Sequence, residues 1–99
     1  MPSLHQMVLN LISGIDDPSI RVEVSRTIFY LYNIYASGGV EEREVRDGLE
    51  DVVGTVLRAK FPDMEKEEFK AMVKRTVDEF MQAFKLTTML RRTIARAPF

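Results

Sequence analysis

The sequence contains no cysteine. Disulfides, thiolate nucleophiles and cysteine-ligated zinc are excluded by that alone. Histidine is limited to His5. It falls in the first turn of an amphipathic segment, near no nucleophile, so no Ser/His/Asp arrangement can be assembled around it. Asparagine and glutamine are confined to Asn10, Asn33, Gln6 and Gln82, while 29% of residues are charged. That balance is thermophile-like. No apolar run approaches the roughly 18 residues of a membrane span. The opening MPSLHQ lacks the charged start and apolar stretch of a signal peptide. The expected location is therefore cytoplasmic, with no membrane partner.

Charge of one sign is also lacking. Fourteen basic and fifteen acidic residues leave a net charge of −1. Attraction to nucleic acid or an anionic surface would have to come from a local patch. Gly38-Gly39 is followed by no Lys-Ser/Thr pair and reads as a turn, not a phosphate loop. There is no internal repeat and no linker, so residues 1–99 read as a single helical domain. With 45% hydrophobic residues, such a chain can bury roughly two-thirds of its unfolded surface.

What is present is helical periodicity. The densest apolar run is Ile20 to Tyr35, where Ile20, Val24, Ile28, Leu31 and Tyr35 fall on one stripe at 100° per residue. Asp17 precedes Pro18, which suits an N-cap followed by proline at the first helical position. Ahead of this run, Ser3 and Gln6 form a capping box for a stripe of Leu4, Val8, Leu11 and Ile15, and Gly14 fits a left-handed stop. After Gly38-Gly39, the residues Val45, Leu49, Val52, Val53 and Val56 make a third stripe that ends at Phe61-Pro62. Gly48 and Gly54 lie inside it, marking either a close helix approach or weakness. Asp63 is the expected cap of the last segment, whose stripe is Phe69, Val73, Val77, Phe80 and Phe84, continued by Thr87 and Ile94 and stopped by Pro98. The predicted fold class is all-α: a compact bundle of four helices over about 3–14, 18–36, 40–60 and 63–96. The last helix is either long or broken near 85–88, where Thr87 and Thr88 are weak helix formers. Ile28, Leu31, Val52, Phe80 and Phe84 are the expected centre of the core.

Candidate sites follow from what does not fit a stripe. Glu41, Glu44, Asp47 and Asp51 share a helix face, but a Glu-x-x-His pair is absent and an EExxE pattern is missed by one place. They read as a solvated face, and neither a metal nor another cofactor is expected. The same acidity argues against a DNA-reading helix over 40–60. Lys85, Arg92 and Arg96, spaced seven and four, share a face of the last helix and are the candidate phosphate-binding residues. Basic residues at a helix C-terminus also complement its dipole. Val22 and Phe29 lie on the back of the second helix, and Leu86, Met89, Leu90 and Ile94 lie off or at the end of the last stripe. These six are the candidate oligomer interface, from about Leu86 to Ala97 on the last helix, because an overhanging helix end carrying apolar residues needs a cover. The functional expectation is a non-enzymatic, self-associating interaction domain, most simply a homodimer. The alternative is a nucleic-acid or phosphate-binding accessory protein.

Overall fold

The computed structural model describes residues 3–95. The protein is an all-α bundle of four helices: α1 (Leu4–Ile12), α2 (Pro18–Ser37), α3 (Glu42–Lys60) and α4 (Lys66–Ala95). Three helix ends, one of α1 and both of α2, are set by local chemistry. The Ser3 hydroxyl accepts from the Gln6 amide at 3.1 Å, and the Asp17 carboxylate accepts from the Ser19 amide at 2.9 Å. Gly38 closes α2 in the left-handed region at φ 75°, a conformation that needs no Cβ. The capping box at α1 is only half made: the Gln6 side chain donates forward to Asn10 and does not accept from the Ser3 amide.

Two boundaries differ from expectation. The helix after Pro62 starts at Lys66, and its cap is Glu65, whose carboxylate accepts from the amides of Glu67 and Glu68. Asp63 instead sits in a tight turn in which the Met64 amide donates to the Phe61 carbonyl, with Pro62 at the turn position that its fixed φ favours. Arg58 clamps this turn: its guanidinium donates to the carbonyls of Pro62 and Met64 and lies 3.8 Å over the Phe69 ring. α4 then runs unbroken through Thr87 and Thr88 to Ala95. The former places for a break fail because Thr88 is buried on the core side and packing outweighs its low propensity.

Consecutive helices run in opposite directions. Leu4 and His5 lie beside Leu86 and Leu90, while Leu11 lies beside Thr76 and Phe80, so α1 is antiparallel to α4. One core joins all four helices, with Ile28, Leu49, Val53, Phe80 and Phe84 almost wholly enclosed and Leu31 buried. Val52 is a correction: it is only half-buried, and Val53 takes its place. The reason is that α3 also packs against α1 through Leu57. The buried arc therefore spans about 120° from Val45 to Leu57 and leaves Val52 at its rim. Ile20, on the α2 stripe, is 48% exposed, so burial of that helix begins at Val24.

The two glycines inside α3 separate cleanly. A Cβ on Gly48 would lie 2.8 Å from the Leu31 Cδ2, so this glycine lets α2 and α3 approach. A Cβ on Gly54 would meet nothing within 4 Å. Gly54→Ala should therefore raise stability by about 0.5–1 kcal/mol through helix propensity. Gly48→Ala should gain less or lose stability, because Leu31 must move. Urea midpoints of the two variants test this, and equal shifts would show that Gly48 has no packing role.

Across the α3–α4 seam, Arg46 donates to Asp78, whose other carboxylate oxygen is 3.0 Å from Lys74, and Glu50 lies 3.7 Å from Arg46. Arg46 first, then Lys74, holds the Asp78 carboxyl below the ordinary range. A depressed pKa contributes stability above the unfolded value, near pH 4, that is lost as pH falls through the folded value. The site is exposed and screened, so the contribution is small. The stability advantage of the wild type over Asp78→Asn should shrink on going from roughly pH 6 to pH 3. A constant difference across that range would remove the linkage.

No described helix is long and apolar enough to cross a membrane.

Candidate functional site

The described molecule measures 53 × 27 × 24 Å, and its long axis follows α4, whose 30 residues rise about 45 Å. α3, with 19 residues, covers only about 28 Å of that length. α4 starts beside the end of α3, so the excess falls at its C-terminal end. There Met89, Leu90 and Ile94 are 57%, 64% and 65% exposed.

α1 is the short member of the bundle, with 9 residues. It lies between α2 and α4 and begins level with Phe29 and Leu90. Its N-terminus borders an open groove of about 610 Å³ whose apolar wall is formed by Leu4, Phe29, Leu86 and Leu90. The His5 ring sits 6.3 Å from Phe29 at the groove's edge. Phe29 also borders a second, shallower groove with Leu9 and Val22. The structure thus gathers Val22, Phe29, Leu86 and Leu90 along one side, and Ile94 follows Leu90 one turn on.

Met89 does not join them. It points to the other flank of α4 and lines a cleft with Tyr35, Val40, Lys85 and Arg92. Glu42 lines the same cleft, so Lys85 and Arg92 share their surroundings with an acid from the first turn of α3. Arg96, the third of the basic set, lies outside the described residues, as do Ala97 and Pro98.

Between these two surfaces is a polar cleft of about 390 Å³, where the last turns of α2 meet α4. Arg91 reaches across it. Its guanidinium donates to the Tyr32 hydroxyl at 3.2 Å and lies 5.7 Å from the ring centre. Tyr32 is buried, with its ring edge-on to Phe84 at 5.5 Å. The base of the cleft carries Thr88, 7% exposed, whose hydroxyl has no hydrogen-bond partner. Thr27, Thr55 and Thr93 each donate to the carbonyl four residues back. Thr88 does not. Neither Arg91 as a partner of Tyr32 nor Thr88 as a buried polar residue is legible from spacing, because both roles arise from α2 crossing α4. The one available signal was that Thr88 lies four residues after Phe84, on the buried line; Thr87 is half-buried and Ile94 exposed.

Glu41, Glu44, Asp47 and Asp51 are all exposed. Among the described residues, no three His, Asp or Glu side chains come together as metal ligands.

No protein-family profile, curated protein or solved structure matches this chain.

Proposed function

We propose that this protein is a small, non-enzymatic interaction domain that pairs with a second copy of itself along the α2–α4 side. The observation that carries the reading is the groove in which Phe29, Leu86 and Leu90 meet at the uncovered end of an unbroken α4. Apolar groups in that position are costly to leave in water, since burying each is worth about 1.5–3 kcal/mol. A second copy suits the site because α1 stops short of the last turns of α2 and α4. The groove beside its N-terminus is open, and the end of a partner's α4 would cover it. A two-fold axis then uses the same residues on both copies. A standard interface takes about 800 Å² from each partner. That is about one-eighth of the 6774 Å² that the described protein exposes.

A phosphate-backbone track along α4 fits less well, because Glu42 stands beside two of its three residues. Sedimentation equilibrium at micromolar concentration tests self-association. A mass of two chains is expected, and a single-chain mass throughout would end the reading.

A further inference from the structure

We infer that the polar cleft between the C-terminal turns of α2 and α4 is a binding site for a phosphoryl group, built from Arg91, Arg92, Thr88 and Asn33. The inference rests on this cleft alone and not on self-association.

Charge comes first. Among the described residues Arg91 and Arg92 line the cleft and no carboxylate does; Arg92 also borders the adjoining cleft, where Glu42 stands. Lys85 lies on the far side of Thr88, in the adjoining cleft with Glu42. The ordinary role of such cations is to face helix C-termini, and α2 and α4 both end at this end of the bundle. Two C-termini amount to about one negative charge. Glu42 adds another. Among the described residues that line the two clefts, the three cations Arg91, Arg92 and Lys85 outnumber these negative charges.

Donor geometry comes next. Tyr32 holds Arg91 in place through one N–H, leaving the rest of a five-donor fork free. Among the described residues, Arg92, Asn33 and Lys85 make no side-chain hydrogen bond or ion pair with another group. Donors therefore approach from α2 and from two adjacent positions of α4, about 100° apart around its axis. A planar carboxylate accepts mainly in one plane, whereas a tetrahedral phosphoryl group has oxygens directed to several sides. Guanidinium pairs match it well. Ser37 is not counted, because its hydroxyl already donates to the Ile34 carbonyl and accepts from the Gly39 amide.

Thr88 is the third observation. A buried hydroxyl without a partner is a cost that a valine of the same shape would avoid. A helical threonine has two accessible χ1 wells, and rotation exchanges methyl and hydroxyl. In one of them Thr88 offers its proton to an anion seated between Arg91 and Arg92. The unpaired hydroxyl is thus explained as a ligand donor rather than a packing defect.

The test is isothermal titration of the full chain with inorganic phosphate and, separately, phenyl phosphate, at constant ionic strength set with chloride. Saturable one-site binding of either probe is expected. Binding of both would assign the site to the phosphoryl end of a larger monoester, and binding of inorganic phosphate alone to the free anion. Arg92→Gln, at an exposed position, should weaken binding about 10–100-fold. Thr88→Val should weaken it about 10-fold while raising the thermal midpoint of the free protein, a pairing that a purely structural threonine cannot produce. Absence of saturable heat with both probes would overturn the proposal. Wild-type affinity in both variants would do so as well.

Discussion

Phe84→Ala should destabilise the protein by about 3–5 kcal/mol. Phe84 is wholly enclosed, and its ring lies 5.5 Å from Tyr32 and 5.9 Å from Tyr35. Removing it takes away the transfer energy of a buried aromatic and two aromatic contacts, each worth about 0.5–1.5 kcal/mol beyond area. The cavity cannot readily collapse, because its walls belong to α2 and α4 and are held by Ile28, Leu49 and Phe80 as well. Such a loss is a large share of the roughly 5–15 kcal/mol that a domain of this kind possesses. Urea unfolding followed by circular dichroism measures it. A midpoint within error of the wild type would show that the core is not organised around this side chain.

Leu90→Asp should dissociate the proposed dimer while leaving the bundle intact. Leu90 is mostly exposed within one chain, so folding loses little by the change. In the paired state it is lost from both copies at once. At about 1.5–3 kcal/mol for each leucine, association should weaken by about 3–6 kcal/mol, or roughly 10²–10⁴-fold. Met89→Asp is the control, since Met89 faces the Tyr35–Val40 flank and should leave the assembly largely unchanged. Sedimentation velocity distinguishes the pair. Equal dissociation by both would place the contact on the wrong flank of α4, and no effect of Leu90→Asp would remove that residue from the interface.

The four helices were legible because each carries its own signals. Ser3, Asp17-Pro18 and Gly38 act on backbone groups within three residues of themselves, so no tertiary knowledge is needed to place them. The stripes were legible for a similar reason, since a 3.6-residue period records which face is buried. What the period does not record is how many neighbours a helix has. Val52 and Val53 differ by one position, and only the docking of α1 against Leu57 decides between them. The end at Asp63 was missed because proline turn chemistry competed with a good capping residue and displaced the helix start to Lys66. For the candidate surfaces, spacing found the apolar residues but treated Met89 and Leu90 as one set. Their separation depends on where α3 begins, beside Met89 and away from Leu90, which is a fact about the assembled bundle. Arg91 was left out of the basic set because it lies off the face that Lys85, Arg92 and Arg96 share, whereas its partner is a phenol on another helix.

The brevity of α1 also bears on how the chain reaches this structure. α2, α3 and α4 are successive neighbours joined by short turns, so their pairing closes small loops at low entropic cost. α1, at 9 residues, is below the length at which a helix persists in water on its own. Its seat is made partly by α4, the last of the four helices, and its ties to α3 are the packing of Leu57 and a hydrogen bond from Lys60 to the Leu11 carbonyl. Folding should therefore run from the carboxyl-terminal three helices toward the amino terminus. The helix made before the other three is in that case the last to find its place, waiting until α4 has been made.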